Sequence, residues 1–214
     1  MPTSARRPRT RDGLFIVGVI GQAGSGKSTV ARVFEREGAA VIDADALAHE
    51  IVDFDPQVQA AIAAEYGPEV YGPTGLNRRR VAEVVFRDPA ARERLNLLVH
   101  PRIVERIRAR LEALRKDRFR GTVAIDAALL LDWGFERECD AGVAVTASRA
   151  AQLERLRTQR GWDADEAGRV LGAQRPMEVL AGAADVTIEN NGGAAELVRV
   201  ARAALKHLRD GSTD

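Results

Sequence analysis

The sequence has little cysteine, little histidine and no long apolar run. Its single cysteine, Cys139, cannot form an internal disulfide, and we interpret it as a small buried side chain. No cysteine or histidine pair has the spacing of metal ligands, which fits a reducing compartment. The longest apolar runs, 14–20 and 127–131, are strand-sized and fall short of the roughly 18 residues that a membrane helix needs. We therefore expect a soluble, cytoplasmic protein.

An excess of charge of one sign is also missing. The 32 Lys and Arg residues nearly balance the 31 Asp and Glu residues, which gives a formal net charge of +1. Such a small charge provides no electrostatic reason to expect nucleic acid or an anionic membrane as a partner. The first twelve residues are Arg-rich and broken by proline, without the apolar stretch of a signal peptide, and they predict a disordered tail. The residues do not determine the oligomeric state, and a monomer is favoured.

Five short β-branched runs alternate mostly with helical patterns. This alternation predicts an α/β fold with a five-stranded parallel sheet flanked by helices. The long stretch between the second and third runs is helical in pattern and exceeds a simple crossover, so we expect it to form a side lobe. The predicted strands are 14–20, 40–43, 122–125, 142–146 and 186–189, and the lobe helices are 56–65, 78–86, 89–99 and 101–114, with turns at 66–77.

These patterns also predict a domain organisation. A chain of 214 residues with 45% apolar residues can form one compact domain with a helical insert. We expect the nucleotide-binding core to comprise 13–55 and 117–208, and the inserted substrate lobe to comprise 56–116. The remaining predicted segments are tails at 1–12 and 209–214, and a lid at about 148–175 within the core.

A complete G-x-x-x-x-G-K-S pattern runs from Gly21 to Ser28, directly after an apolar strand and directly before a helical pattern. Its glycines allow backbone N–H groups to close around phosphates, and the helix adds its positive end. Lys27 would reach the β- and γ-phosphates, and the Ser28 hydroxyl would ligate Mg²⁺. The predicted ATP-binding residues here are Gly21, Gln22, Ala23, Gly24, Ser25, Gly26, Lys27, Ser28 and, more weakly, Thr29. The pattern indicates a nucleotide without indicating a reaction.

Two carboxylates, Asp43 and Asp45, follow the second predicted strand, at the edge where open α/β sheets bind ligands. Asp45 could accept or orient the proton of an attacking hydroxyl and could help to hold Mg²⁺. Its alternative role is to cap the helix that follows. Asp126, at the end of the third strand, could contact Mg²⁺ or form a turn.

Residues 148–161 predict a basic helix that ends in a loop and can act as a lid. Lid arginines would neutralise charge on the β- and γ-phosphates, and a closed lid would exclude water. A solvated helix face is the alternative, because Glu154 can pair with Arg157 at helical spacing.

Taken together, four segments resemble dephospho-CoA kinases: 21–29, 41–47, 98–101 and 190–192. The resemblance spans roughly residues 14–208. That family phosphorylates the ribose 3′-hydroxyl of dephospho-CoA, so the resemblance implies this reaction here, with ATP and dephospho-CoA as partners and Mg²⁺ as the metal.

The resemblance also implies roles for individual residues. Asp45 corresponds to the base, and Arg155 and Arg160 resemble the lid positions, with Arg157 as a backup. Segment 75–78 resembles a Gly-Leu-Asp-Arg turn of the family, with Asn in place of Asp. The implied catalytic set is Asp45, Lys27 and Arg160, the substrate-binding set is Asp43, Arg78, His100 and Pro101, and the metal-binding set is Ser28, Asp45 and Asp126.

The sequence departs from the family pattern at three places. Gln22 and Ala23 stand where the family commonly has Gly-Ile, which changes the shape of the loop. Ala128 and Asp132 replace a proline and a glutamate after the third strand. Leu180 lies in a segment without the Lys or Arg that the family usually has there.

Two other functions stay open. Another P-loop kinase, for a nucleoside or nucleoside monophosphate, would share the loop, the strand-end acid and the arginine lid. A non-catalytic nucleotide-binding regulator descended from such kinases would be consistent with the three departures.

Overall fold

A computed structural model describes residues 13–73 and 75–211, so the predicted tail at 1–12 lies outside the described residues. The strands are β1 (Leu14–Ile20), β2 (Ala40–Asp43), β3 (Tyr71–Gly72), β4 (Gly75–Leu76), β5 (Gly121–Asp126), β6 (Ala141–Thr146) and β7 (Val186–Glu189). The α-helices are α1 (Lys27–Arg36), α2 (Ala44–Phe54), α3 (Pro56–Tyr66), α4 (Arg78–Arg87), α5 (Pro89–Lys116), α6 (Arg149–Arg160), α7 (Ala164–Ala173), α8 (Met177–Gly182) and α9 (Ala194–Asp210).

Five strands form one sheet in the order β2-β5-β1-β6-β7. β1 pairs in parallel with both β5 and β6, and β6 pairs in parallel with β7. In this register Val19 lies opposite Asp126, so the carboxyl ends of β1 and β5 lie side by side. The predicted five-stranded parallel sheet with flanking helices is confirmed.

The main core forms where helices α1 and α9 pack on the sheet. β1 and β6 are rich in β-branched residues, as expected for strands that are covered on both faces. Phe34 of α1 and Leu205 of α9 are fully buried in the same cluster as Val17 and Val143. This packing holds α1, and with it the turn that precedes α1, against the carboxyl end of β1.

The chain divides into two compact units. One comprises the described residues up to Ile42 together with those from Leu114 onward, and the other is Asp43–Ala113. The second unit begins before the predicted lobe, because α2 packs against α3 and against β4. Within it, the predicted turns at 66–77 include the β3–β4 hairpin, and the Tyr71 hydroxyl donates to the Val52 carbonyl at 2.9 Å.

The prediction of two helices at 89–99 and 101–114 is wrong, because α5 continues through Pro101. Proline lacks the N–H that would bond to the carbonyl four residues earlier, that of Leu97. In the same turn, Arg102 Nη1 donates to the Leu98 carbonyl at 3.0 Å, so a side-chain donor lies near the missing backbone hydrogen bond. The predicted start of this helix is confirmed, since Asp88 Oδ1 accepts from Ala90 N at 2.9 Å.

The C-terminal helix α9 runs to Asp210 and so enters the segment that was predicted as a tail. Arg209 explains this extension, because its guanidinium donates to the Thr122 hydroxyl at 3.0 Å and to the Glu37 carbonyl at 3.3 Å. Within 13–73 and 75–211, no helix combines the length and the apolar character that crossing a membrane requires.

Replacing the proline inside α5 should stabilise the protein. Pro101→Ala restores a backbone donor in mid-helix, and we expect the free energy of unfolding to rise by about 2–3 kcal/mol in urea titrations. Pro89→Ala is the matched control, because Pro89 is the first residue of α5 and its N–H would have no intrahelical partner. Equal stability of the two variants would contradict this account of Pro101.

Candidate nucleotide-binding site

The predicted phosphate loop lies between the end of β1 at Ile20 and the start of α1 at Lys27. Gly24 has a φ of 71°, and a Cβ there would lie 2.9 Å from the Gln152 carbonyl oxygen. Gly26, the N-cap residue of α1, has a φ of 104°, and a Cβ there would clash with the Asn190 amide. Both positions therefore require glycine for the backbone angle and for the close approach of a neighbour.

The first turn of α1 gives this loop a positive end. The segment from Lys27 to Val30 contains no acidic residue that would oppose an anion. The Lys27 side chain is only 9% exposed, whereas Ser28 is exposed and Thr29 is half-buried. This arrangement suits a bound phosphate, with a partly desolvated ammonium and an accessible hydroxyl at the same helix end.

Ser25 has an internal position in the loop. Its side chain is fully buried, and its N–H donates to the Gln22 carbonyl at 3.1 Å. The Ser25 hydroxyl oxygen has no hydrogen-bond partner among the described residues. The contact of Ser25 with ATP stays a prediction.

Arg155 and Asn190, which lie outside the loop, donate hydrogen bonds to its backbone carbonyls. The Arg155 guanidinium donates to the carbonyls of Gly24 at 3.1 Å, Ser25 at 3.4 Å and Asn190 at 2.9 Å. Asn190 Nδ2 donates to the Ser25 carbonyl at 2.7 Å. Arg155 therefore contacts the backbone carbonyls of the loop, and its direct contact with the phosphates stays a prediction.

The other two predicted lid arginines differ in their partners. Arg157 donates to Glu154 at 2.8 Å, and this hydrogen bond lowers the pKa of the Glu154 carboxyl below its usual value. This pair matches the alternative in which Arg157 lies on a solvated helix face and pairs with Glu154. Arg160 is exposed at the end of α6, and its guanidinium lies 5.3 Å from the centre of the Trp162 ring, within the range of a cation–π contact.

Oxygen donors for a metal are found beside the loop. Asp126 ends β5, is 5% exposed and lies opposite Val19, close to where β1 leads into the loop. Its carboxylate and the Ser28 hydroxyl are oxygen groups of the kind that Mg²⁺ prefers, and their role as metal ligands stays a prediction. Among the described residues, no group of three or more His, Cys, Asp or Glu side chains could hold a metal ion.

The predicted substrate residues lie in the second unit. The structure makes Asp43 the N-cap of α2, since its Oδ1 accepts from Ala46 N at 3.0 Å, so the cap considered for Asp45 belongs to Asp43. Asp45 is exposed in the first turn of α2. Arg78 pairs with Asp53 at 2.6 Å. His100 is half-buried and adjacent to exposed Pro101 within α5.

At two of the departures from the family pattern, partners within the structure account for the residues. Asp132 forms an ion pair with Arg175 at 2.9 Å, so the aspartate that replaces the family's glutamate has a basic partner. Leu180 is 2% exposed in α8, which packs against β6, so an apolar residue suits its position.

Two glutamines that contact the loop were missed from the sequence, Gln152 and Gln174. One indication was available for Gln152, because it lies four residues before Leu156 and so shares the buried face of α6.

Comparison with known proteins extends the assignment beyond the loop. The family model for dephospho-CoA kinases matches residues 15–196. The chain belongs to the dephospho-CoA kinase family. It is 38% identical over 185 residues to the dephospho-CoA kinase of Geobacter sulfurreducens, covering 86% of this chain and 93% of that protein. It is 39% identical over 183 residues to that of Thermobifida fusca, covering 85% and 90% of the two chains.

Two solved structures share the fold of this chain. The protein TT1252 from Thermus thermophilus superposes with a TM-score of 0.74 and 29% identity, covering 91% of this chain and 97% of that one. The dephospho-CoA kinase from Campylobacter jejuni superposes with a TM-score of 0.68 at 20% identity, covering 94% and 100%, and shows a shared fold. The resemblance identified from the sequence and the assignment as a kinase are confirmed.

Adding a methyl group at Gly24 should disrupt the loop. In Gly24→Ala, the new Cβ meets the backbone of α6 at an unfavourable φ, so we expect nucleotide binding to weaken by about tenfold or more in calorimetry. Gly172→Ala is the control, because Gly172 lies in α7 with no atom within 4 Å of its added Cβ. We expect that variant to bind normally and to be more stable by about 0.5–1 kcal/mol. Normal binding by Gly24→Ala would contradict the close approach of α6.

Proposed function

We propose that this chain transfers the γ-phosphate of ATP to the ribose 3′-hydroxyl of dephospho-CoA, giving coenzyme A and ADP. One observation carries the proposal: a complete phosphate loop connects β1 to α1 in a member of the dephospho-CoA kinase family. The buried, unbridged thiol of Cys139 supports a cytoplasmic setting.

The loop and Lys27 bind the triphosphate. Backbone N–H groups of the loop and the positive end of α1 surround the phosphates, and the ammonium of Lys27 neutralises the oxygens whose charge changes during transfer. Partial burial of Lys27 supports this role, because a charge interaction is stronger where water is excluded.

Asp45 serves as the base toward the acceptor. The 3′-oxygen forms the new bond to the γ-phosphorus, the bond to the bridging oxygen of ADP breaks, and the hydroxyl proton passes to the Asp45 carboxylate. Two features support this assignment: Asp45 is exposed, and the neighbouring Asp43 already supplies the cap of α2. The carboxylate of Asp45 is therefore not needed for capping.

Ser28 and Asp126 are the residues of the first unit that would hold Mg²⁺, and we propose that Asp45 assists them through water. Bound Mg²⁺ neutralises phosphate charge and orients the phosphate oxygens. The oxygen-only donor set supports this ion over softer metals.

The arginines of α6 complete the nucleotide site. We propose that Arg160, in the predicted lid segment at about 148–175, reaches the β- and γ-phosphates of the bound nucleotide, with Arg157 able to assist. Arg155 acts through the loop carbonyls that it already contacts. For the acceptor, the proposed binding residues are Asp43, Arg78, His100 and Pro101.

An ADP-release assay with Mg²⁺ and ATP tests the reaction. We expect turnover with dephospho-CoA and none with nucleosides or nucleoside monophosphates. Lys27→Ala should lower the rate on the order of 10³-fold, because it removes charge stabilisation from the transition state. Phosphorylation of a nucleoside in place of dephospho-CoA would identify a different P-loop kinase, and an unchanged rate for Lys27→Ala would overturn the loop assignment.

A second experiment separates catalysis from nucleotide binding. Asp45→Asn keeps the size of the side chain and removes the base, so we expect turnover to fall by about 10²-fold or more while ATP binding is retained. Glu50→Gln is the matched control, an exposed carboxylate on the same helix whose contact with Arg110 is 3.7 Å long. Wild-type turnover in Asp45→Asn would show that this residue is not the base, and a wild-type chain without turnover would favour the regulator.

A further inference from the structure

The Gln22 side chain, at the position where the family commonly has glycine, is nearly buried and uses both ends of its amide. Its Nε2 donates to the Arg175 carbonyl at 3.0 Å and, at the limit of hydrogen-bond length, to the Leu171 carbonyl at 3.5 Å. Its Oε1 accepts from Gln152 Nε2 at 3.2 Å. Gln22 therefore connects the phosphate loop to the end of α7 on one side and to α6 on the other.

The next residue of the loop is held by the same two neighbours. The Ala23 carbonyl accepts from Gln152 Nε2 at 3.0 Å, and the Ala23 N–H donates to Gln174 Oε1 at 2.9 Å. The Ala23 methyl group packs on the small apolar cluster that α6 and α7 share through Leu156 and Leu171. Polar and apolar contacts thus fix the same short stretch of loop.

Burial of these amides makes the arrangement specific. Gln152 is 2% exposed and Gln22 is 9% exposed, and a buried amide that loses its partners carries a desolvation penalty. A shift of α6 relative to the loop would break the bonds of Gln152 to Gln22 and Ala23 together. We therefore expect the loop and α6 to move together.

Helix α6 also carries Arg155 and Arg160, the arginines of the proposed nucleotide site. We propose that Gln22 and Gln152 form a polar clamp that couples the phosphate loop to α6, so that nucleotide binding at the loop also fixes the arginine-bearing helix. Gln22 is a positioning residue in this scheme and acts through the loop backbone. The inference rests on the proposed function only in taking a nucleotide as the ligand of the loop.

Calorimetry with Mg²⁺ and ADP tests the clamp without any acceptor. Gln22→Met and Gln152→Met keep side-chain volume and remove the bond between the two amides, and each should weaken ADP binding by about tenfold. The losses in the double variant should be less than additive, because each single variant already removes the bond between the two amides. Gln159→Met, an exposed glutamine on the same helix, should bind like the wild type. Wild-type affinity in Gln22→Met, or fully additive losses, would overturn the clamp.

Amide hydrogen exchange distinguishes coupling from a purely structural role. In the wild type, saturating ADP should slow exchange in both the loop and α6. In Gln22→Met at saturating ADP, the loop should still be protected, and α6 should be protected less than in the wild type although Arg155 still contacts the loop carbonyls. Protection of α6 equal to that of the wild type would overturn the proposal, even if the variant were less stable to heat.

The proposed reaction and the clamp can fail separately. A chain that shows the expected binding and exchange but does not phosphorylate dephospho-CoA would retain the clamp and lose the proposed reaction. A chain that phosphorylates dephospho-CoA while Gln22→Met keeps the kcat, KM for ATP and exchange pattern of the wild type would retain the reaction and lose the clamp.

Discussion

The nucleotide site depends on how the carbonyl groups of the phosphate loop are held. In a trans peptide unit the C=O and the following N–H point in opposite directions. Arg155 and Asn190 both donate to the Ser25 carbonyl, so the N–H of Gly26 must point away from them. The loop can offer donors to an anion because other side chains hold its acceptors on the opposite side.

Much of this arrangement could be predicted from local sequence. β1, β2 and β7 begin and end where their β-branched runs predicted, and the glycine pattern located the loop between β1 and α1. Ser148 and Asp163 cap α6 and α7, accepting from Ala151 and Glu166, and serine and aspartate just before a helical pattern are the residue types that indicate such caps. These features depend on residues a few positions apart, so the chemistry that determines them is visible in the sequence.

Features that depend on distant partners could not be predicted in this way. Proline normally ends a helix, yet α5 continues through Pro101. The roles of Arg155 and Gln152 depend on loop residues about 130 positions away, and although helical spacing places Gln152 on the buried face of α6, it does not indicate which loop residue Gln152 will contact. Asp45 was the residue considered as a cap for α2, whereas the extended backbone at the end of β2 gives that role to Asp43.

The bond between Asn190 and Ser25 joins residues that are 165 positions apart. During synthesis the loop sequence emerges long before Asn190 does. β7 and α9 also emerge after most of the core. Until then Ser25 lacks one of its two carbonyl supports, and Val17 and Phe34 lack the apolar face of α9 that covers them. A nascent chain therefore carries the full phosphate-binding sequence well before it can form the site, and nucleotide cannot stabilise its early folding intermediates.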